Sequence, residues 1–349
     1  MKTTIEQFHQ FRKQFPAPFQ KHLSPEYFEW KFNHPSWQEG YLHLEKDGDE
    51  VMGSIAYCPK QVLVFGAQTN AAEIGDSYTS PKYQRRGVFT TCANACVSVA
   101  TARQIDLIYG TPNDASLPGY EKKLNFVVAS HARVGLLTRL VSAAAYSRRL
   151  IKYLKADWAS QIAGRLALMI NRTYFGLQSP SSELKLELVN HLPASIGEDG
   201  TWGLDRTDYA FFTIRNRRYL QWRFLDSSEP FKFYLAKVDD KVIGYVVTKL
   251  TERQGEQVGS ICDFICERDS QSAAQTILRL AVQSLADAGA DYVQMYCAVG
   301  TEYWESAKRN GFRAVAWNPI IFFAGHTLGR EITKRSGKWH FAMADCDAV

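Results

Sequence analysis

Residues 79–89 combine the side chains that bind a phosphate with the place in a chain where phosphates are bound. They read Thr-Ser-Pro-Lys-Tyr-Gln-Arg-Arg-Gly-Val-Phe and lie between an apolar, strand-like run and a small-residue run typical of a helix. The first amides of a helix have no acceptor within the helix, and the helix dipole makes that end positive. Gly87 permits a left-handed turn, and Arg85 and Arg86 can bond phosphate oxygens. The stretch predicts an anion site whose natural ligand is a pyrophosphate.

The segments around this loop predict the order strand, loop, helix, strand. Residues 90–102 carry Ala93, Val97 and Ala100 at helical spacing. They lead into Leu-Ile-Tyr-Gly at 107–110, a short apolar run typical of a strand. A helix that starts directly after the loop would present its free amides to the anion.

The loop resembles the coenzyme A loop of the GNAT (N-acetyltransferase) superfamily, whose pattern is Gln/Arg-x-x-Gly-x-Gly/Ala after a strand and turn. Gln84, Gly87 and the turn at 79–81 match this pattern. Phe89 stands where a small residue is usual, and its ring could pack under the helix. A second signature follows in Asn113 and in the run 120–126, Tyr-Glu-Lys-Lys-Leu-Asn-Phe.

The resemblance implies direct transfer of an acyl group from acetyl-CoA or another acyl-CoA, with no metal. It assigns the donor to a strand, the loop and the start of the helix. The residues concerned are Ser77, Tyr78, Thr79, Gln84, Arg85, Arg86, Gly87, Val88, Phe89, Thr90 and Asn113. A strand N–H near Ser77 or Tyr78 would polarise the thioester carbonyl, an interaction typically worth about 2.7 to 4 kcal/mol per donor.

Glu73, Asp76 and Tyr120 are the catalytic candidates that the same resemblance implies. Either acid could take a proton from the attacking amine, directly or through water, and Tyr120 could return one to the departing thiolate. Glu73 and Asp76 are three positions apart, so on a regular strand they face opposite sides, and only a bulge would let both face the cleft. We favour Asp76 as the base, and a structural carboxylate at a helix or turn is the alternative for it.

The chain also contains an internal repeat. Four landmarks of the first half recur in the same order in the second half. They are the pairs 27–32 and 219–224, 45–53 and 237–244, 74–76 and 261–263, and 121–126 and 307–312. Ordered recurrence predicts two copies of one domain.

The two copies differ where the chemistry is expected. After Asp263 the chain has neither a glycine nor an Arg-Arg pair before the helical run 275–288. We therefore expect the first copy to hold the donor and the second to shape the acceptor cleft. The predicted fold is α/β (α+β), with two GNAT-like domains, each a mixed, mostly antiparallel twisted sheet flanked by helices. The predicted boundaries are 1–132 for the acyl-CoA-binding domain, 133–182 for a helical basic linker and 183–349 for the degenerate domain.

The middle segment is strongly basic. Residues 133–172 contain eight basic side chains and one acid, Asp157. Apolar residues at helical spacing run from Leu136 to Leu154, which predicts an amphipathic basic helix or pair of helices. The favoured interpretation is a linker whose apolar face packs on the domains. Contact with an anionic membrane surface, a phosphate-rich acceptor or RNA is the alternative.

Composition favours a cytoplasmic enzyme. The 349 residues exceed one usual domain, and 46% hydrophobic residues can bury large cores. The net charge of +5 does not demand a nucleic acid or a membrane as partner. The seven cysteines form no CxxC pair and are expected to be buried, reduced thiols. No targeting segment, membrane span or metal motif is evident, and Asp345 and Asp347 are expected in a short polar tail.

Three functions fit these patterns. The first is an acyl-CoA-dependent N-acyltransferase, acting on a small polar amine such as an amino sugar of surface-polysaccharide assembly. The second is an aminoacyl-tRNA-dependent transferase of the peptidoglycan-bridge type, against which the phosphate loop argues because that donor does not need it. The third is a catalytically silent protein that binds a ligand in the cleft.

Overall fold

The computed structural model describes residues 2–15, 24–33, 39–154, 156–176, 183–194, 196, 208–267 and 271–346. Asp347 and, within the basic segment 133–172, Lys155 lie outside the described residues. The helices α1 to α10 are, in order, Lys2–Arg12, Pro25–Phe32, Val88–Ala102, Leu117–Lys123, Ala143–Leu154, Asp157–Gly176, Arg217–Leu220, Gln271–Asp287, Glu302–Arg309 and Thr327–Ile332. Within the described part of the chain, no helix has the length and apolar content needed to cross a membrane.

The strands build two sheets of mixed orientation. Strands β1 to β15 are, in order, Tyr41–Asp47, Glu50–Val64, Ala67–Thr79, Leu107–Gly110, Phe126–Val128, Val134–Leu140, Leu184–Val189, Tyr209–Thr213, Lys232–Val238, Lys241–Arg253, Glu256–Cys266, Tyr292–Ala298, Arg313–Asn318, Ile321–Phe323 and Lys338–Trp339. The first sheet has the order β15-β8-β2-β3-β4-β14-β5, with β1 paired to β2, and the second has the order β13-β6-β12-β11-β10-β9-β7. These mixed sheets flanked by helices confirm the predicted fold class and are consistent with two GNAT-like domains.

The two sheets exchange strands. β14, from the carboxy-terminal part of the chain, lies between β4 and β5 of the first sheet and is antiparallel to both. β6, from the amino-terminal half, lies between β12 and β13 of the second sheet and is also antiparallel to both. Each sheet therefore contains strands from both halves of the chain, since β8 and β15 also belong to the first sheet. A boundary at residue 132 cuts the chain before a strand of the second sheet.

The helix predicted from Leu136 onward is wrong at its start. Residues 134–140 form β6, whose backbone is paired on both sides. A short apolar run does not distinguish strand from helix by its period, and here the pairing decides. Helix α5 begins at Ala143, and the Ser142 hydroxyl accepts a hydrogen bond from the Ala145 amide at 3.0 Å. The predicted pair of helices is otherwise present as α5 and α6.

The helices pack on defined faces of the sheets. Helices α1 and α2 cover the face of β2 that carries Ala56 and Cys58, and α3 and α4 cover the opposite face with Ile55 and Tyr57. Helices α8 and α9 cover the outer face of the second sheet. All seven cysteines are buried, as predicted.

Candidate functional site

Strands β3 and β4 run side by side and then separate. Their parallel pairing extends from Ala71 opposite Leu107 to Glu73 opposite Tyr109. Strand β4 ends at Gly110, whose Cα lies so close to β3 that a Cβ there would stand 2.9 Å from the Ile74 carbonyl oxygen. Strand β3 continues to Thr79, paired with β2 on its other side. In the described structure, the last six residues of β3 thus have no ladder partner on the β4 side.

A β-bulge lies in this stretch of β3. Ser54 of β2 pairs with Tyr78 and Ala56 pairs with Gly75, so that Asp76 and Ser77 together face the one residue between them. Asp76 has a left-handed backbone with φ of +50°. The Ser54 hydroxyl donates to the Asp76 carbonyl oxygen at 3.1 Å. Such a bulge re-aims the following residues and increases the local twist.

The Asp76 carboxylate is held by two cations. Arg12 Nη1 of α1 lies 3.0 Å from Oδ1, and Lys31 Nζ of α2 lies 2.6 Å from Oδ2. The Arg12 guanidinium itself lies over the rings of Phe15 and Phe28, at 4.9 and 5.2 Å from their centroids. All three charged groups are largely removed from solvent. Asp76 therefore ties both amino-terminal helices to the bulge.

The bulge puts Glu73 and Asp76 on the same face of the sheet. Glu73 is paired with Cys58, which packs in the α1 and α2 layer, and Asp76 contacts those two helices directly. Glu73 Oε2 lies 3.4 Å from the buried Lys60 Nζ. Burial alone would lower the pKa of Lys60, but the neighbouring Tyr219 and Glu73 raise it above its usual value. On a regular strand these two acids would face opposite sides, and the bulge in β3 places them on the same side.

The predicted anion loop leads directly into α3. Gly87 precedes the helix with a left-handed φ of +86°, and no side chain caps the helix start. A Cβ on Gly87 would find no atom within 4 Å. The amides of Val88, Phe89 and Thr90 follow this open position at the start of the helix. Gln84, Arg85 and Arg86 are exposed around them, and Arg86 lies over the Tyr83 ring at 5.6 Å from its centroid.

Gly53 allows the helix to sit close to the sheet. A Cβ on Gly53 would stand 2.6 Å from Val88 Cγ1 and 3.5 Å from Thr79 Oγ1. Any larger residue would push the start of α3 away from the end of β3. In the sequence, Gly53 is notable only as part of the repeat landmark 45–53. Its role at the site follows from the close approach to Val88.

Phe89 and Tyr120 pack against each other beside the unpaired part of β3. Their rings meet edge to face at 5.0 Å, and a Cβ on Gly119 would stand 2.7 Å from the Phe89 ring. Burial raises the pKa of Tyr120, and a hydrogen bond with the Ser77 side chain only partly offsets this. Tyr120 is therefore protonated at neutral pH, with its hydroxyl next to Ser77. Phe89 is itself a residue of α3, and its ring packs against α4.

Two of the side chains predicted to bind the acyl-CoA donor, Asn113 and Tyr78, form hydrogen bonds within the protein. Asn113 Oδ1 accepts from the amides of Ala115 and Ser116 at 3.1 and 3.0 Å, which fixes the turn before α4. The Tyr78 ring stacks on Phe15 at 3.9 Å, and its hydroxyl donates to the Gln14 carbonyl oxygen at 3.0 Å. The Tyr78 side chain thus belongs to the α1 face, and its backbone is the part that lines the gap.

Sequence reasoning missed Arg12, Lys31 and Ser54. Arg12 and Lys31 are 64 and 45 residues away from Asp76 in the chain. No local pattern links residues so distant, and only the fold brings them to the bulge. Within the described residues, no group of histidines, cysteines and acids could hold a metal ion.

The corresponding gap in the second sheet is filled. The parallel pairing of β11 with β12 ends at Ile261 opposite Met295. Residues 339–342 lie against the strands beyond that point, and His340 Nε2 donates to the Phe264 carbonyl oxygen at 3.1 Å. The cavity that remains is about 10 Å³, room for no more than one water.

A buried arginine links the second bulge to the end of the chain. The pairing of β11 with β10 skips Cys262, next to Asp263, the counterpart of Asp76. The Arg215 guanidinium bonds both Asp263 oxygens at 3.1 and 2.9 Å and both Asp345 oxygens at 2.9 and 2.7 Å. Burial opposes ionisation of Asp345, but Arg215 and His340 hold its pKa below the usual value. The prediction that Asp345 lies in a short polar tail is wrong. Asp345 is fully buried, and its ion pair with Arg215 offsets the cost of burying the charge.

Comparisons with known proteins show which family model and which folds this chain resembles. Residues 5–126 match the sequence model of the Acetyltransferase (GNAT) family. Of solved structures, a GCN5-related N-acetyltransferase from Anabaena variabilis superimposes with a TM-score of 0.61 at 14% identity, covering 92% of this chain and 70% of that one. A comparison with curated proteins finds none that matches this sequence.

Two further structures share the fold. The N-myristoyltransferase of Saccharomyces cerevisiae, solved with bound myristoyl-CoA, has a TM-score of 0.57 at 13% identity, covering 86% of this chain and 74% of that one. A GCN5-related N-acetyltransferase from Kribbella flavida has a TM-score of 0.52 at 12% identity, covering 92% and 69% of the two chains. At these identities the likeness establishes the fold.

Proposed function

We propose that this protein, whose residues 5–126 match the model of the GNAT acetyltransferase family, is an acyl-CoA-dependent N-acyltransferase that moves the acyl group directly to a small polar amine. The observation that carries the proposal is the alignment of two features. The uncapped start of α3 at Gly87 and the unpaired edge of β3 from Ile74 to Thr79 belong to consecutive elements of one sheet and helix layer. Together they offer main-chain donors for a diphosphate and for an extended thioester arm.

The loop is assigned to the diphosphate. A Gly87 backbone with positive φ and open space beside it directs the first amides of α3 outward, where an anion can approach closely. Arg85 and Arg86 add charge-assisted hydrogen bonds. Gln84, Phe89 and Thr90 complete this binding segment, with Phe89 holding the helix start against α4.

The unpaired edge of β3 is assigned to the reacting end. Acyl-CoA bound there supplies the thioester that is attacked. A backbone N–H at Ser77 or Tyr78 polarises the carbonyl, which is an oxyanion-type interaction. Tyr120, protonated and beside Ser77, donates the proton that the sulfur leaving group needs.

We assign the two acids different roles. Glu73 takes the proton of the acceptor amine, directly or through water. Asp76, with each oxygen bonded to a cation, is a positioning residue that fixes the left-handed bulge and hence the direction of the Ser77 amide. The sequence favoured Asp76 as the base, and its two ion pairs motivate the change.

The acceptor is assigned to the α1 and α2 face, where Glu73 and Asp76 lie. An amino sugar of surface-polysaccharide synthesis is our specific proposal, with the reaction in the cytoplasm, where acyl-CoA is made. The fold is shared with a protein that binds myristoyl-CoA, so the donor is to be tested over several chain lengths.

The test is a thiol-release assay with acyl-CoA donors from acetyl to myristoyl and a panel of amines and amino sugars. We expect acceptor-dependent thiol release that the Arg85→Glu, Arg86→Glu double variant abolishes. The control is an Arg309→Glu variant, which changes an exposed arginine of α9, remote in sequence from the loop. Absence of both coenzyme A binding and thiol release would overturn the proposal. Binding without turnover would support the silent ligand-binding protein instead.

A further inference from the structure

The α5–α6 hairpin, residues 143–176, carries most of the exposed large apolar side chains. Among the described residues thirteen such side chains are exposed, and eight of them lie on this hairpin. They are Ile151, Tyr153, Leu154, Trp158, Ile162, Leu166, Met169 and Ile170. Tyr153 and Trp158, on either side of the turn between the helices, are each 71% exposed. Concentrated exposure of this kind marks an interaction surface.

The apolar side chains of α6 form one stripe. Trp158, Ile162, Leu166 and Ile170 follow one another at four-residue spacing and therefore lie along one side of the helix. The opposite side packs on α5, where a Cβ on Gly164 would stand 2.7 Å from the Ala143 carbonyl oxygen. The stripe thus lies on the side of α6 that faces away from α5.

Positive charge accompanies the stripe. Arg165 lies seven residues after Trp158, which puts it along the edge of the apolar side, and it is exposed, as is Arg149 of α5. The sequence from 143 to 172 contains six basic residues and the single acid Asp157. An apolar helix face with an arginine at its border and aromatic rings at its end has the composition of a helix that lies in a membrane interface.

The hairpin is anchored firmly to the second sheet. Arg148 bonds Glu256 at 3.1 Å and Asp291 at 2.9 Å, and the Ser142 hydroxyl donates to Asp291 at 2.7 Å. At the far end, Arg139 Nη2 donates to Asn171 Oδ1 at 3.1 Å. These contacts fix the orientation of the stripe relative to the body of the protein.

We propose that the α5–α6 hairpin docks on an anionic lipid surface, with the stripe of α6 in the interface and Arg165, at the border of the stripe, on the headgroups. Charge decides between this partner and a second copy of the chain. Pairing two hairpins stripe to stripe would bring the Arg165 side chains at the borders of both stripes towards each other, and like charges across an interface oppose association. An anionic surface complements the same charges, with each basic residue worth about 1 kcal/mol near it.

The experiment is co-sedimentation of the full chain with vesicles. One set is pure phosphatidylcholine and the other contains about one-third phosphatidylglycerol, which supplies the negative surface potential. We expect binding to the anionic set that weakens as salt is added, and little binding to the neutral set. The Ile162→Ser, Ile170→Ser double variant should bind at least about tenfold more weakly, because it removes two apolar side chains from the interface. Arg165→Glu should weaken binding by about fivefold or more.

Matched controls change equivalent residues elsewhere on the surface. Leu188→Ser with Val315→Ser removes two exposed apolar side chains outside the hairpin, and Arg309→Glu reverses an exposed charge outside it. Both controls should bind vesicles like the unaltered protein. Absence of binding to anionic vesicles, or equal loss in the control variants, would overturn the proposal. A dimer in sedimentation velocity that the Ile162→Ser, Ile170→Ser variant converts to a monomer would assign the stripe to self-association and overturn it as well.

Discussion

Trp30 and Trp222 exchange hydrogen bonds across the two halves of the chain. The indole N–H of Trp30 donates to the Trp222 carbonyl oxygen at 2.7 Å, and that of Trp222 donates to the Trp30 carbonyl oxygen at 3.1 Å. The two rings stack with centroids 5.2 Å apart. The two residues occupy the same position in the repeated hexapeptides at 27–32 and 219–224. Reciprocal hydrogen bonds of this kind, in which each indole N–H donates to the carbonyl oxygen of the other residue, are typical of a contact with two-fold symmetry.

This pair predicts a measurable coupling between the halves. Trp30→Phe and Trp222→Phe each remove one indole N–H and leave a carbonyl oxygen without it, so each should lower the free energy of unfolding by about 1 to 3 kcal/mol. In a double-mutant cycle the two losses should be non-additive by about 0.5 to 1.5 kcal/mol, because the rings share one stack. Trp158→Phe, at an exposed position, is the control and should change stability by less than about 0.5 kcal/mol. Additive losses would show that the two tryptophans act separately.

Gly87→Asp should weaken acyl-CoA binding by roughly tenfold or more, because it places a carboxylate where the helix start and two arginines attract a diphosphate. Gly48→Asp is a matched control: Gly48 also has a positive φ, of +58°, and open space at its Cβ position. Both variants should lose a similar small amount of stability from backbone strain. Calorimetry with coenzyme A should separate them, and equal affinities would remove the loop from the donor site.

Each chain should bind one coenzyme A. In the second sheet the gap between β11 and β12 is occupied by residues 339–342 of the chain itself. Native mass spectrometry should therefore show a single added ligand, and the Arg85→Glu, Arg86→Glu variant should show none. A stoichiometry of two would contradict the assignment of the second half as a scaffold.

Asp76→Asn should lower kcat by up to about a hundredfold while leaving the pH dependence of the remaining activity and the donor affinity unchanged. The reason is that a loosened bulge misdirects the Ser77 amide, and small misplacements of catalytic groups have effects of this size. Lys31→Met removes a cation from the same carboxylate and should have the same effect. Glu73→Gln should instead abolish the acidic limb of the kcat profile. Loss of that limb in Asp76→Asn would make Asp76 the base.

Asp345 should make stability depend on acid pH. Its pKa in the folded protein lies below the usual value of 3.8, so its contribution is complete above that value and is lost as the pH falls through the folded pKa. At neutral pH, Asp345→Asn should cost about 3 to 5 kcal/mol, because Arg215 keeps only Asp263 as a counter-ion. The deficit should shrink as the pH falls below 3.8.

Urea titrations at several pH values measure this effect. Asp240→Asn, at an exposed turn between β9 and β10, is the control. A deficit for Asp345→Asn that stays constant with pH would show that the ion pair with Arg215 does not set the titration.

Local sequence patterns were sufficient to predict much of the structure of the amino-terminal half of the chain. The loop at 84–90, the helix α3 and the strand β4 follow from residue type and spacing, because the dihedral needs of Gly87 and the period of the apolar side chains are properties of a short segment. The buried state of the cysteines and the mixed α/β class followed in the same way. The residues assigned to the site all lie in or beside these segments.

Contacts between residues far apart in the chain decided the remaining features of the fold and of the candidate site. The sequence predicted an anion-binding loop before a helix and two related halves. Only the tertiary structure decided that β6 and β14 cross between the sheets, that Asp76 is held by Arg12 and Lys31, and that residues 339–342 fill the second gap. The physical reason is that strand pairing and buried ion pairs are formed by groups far apart in the chain, and their free energy depends on a neighbourhood that no short segment specifies.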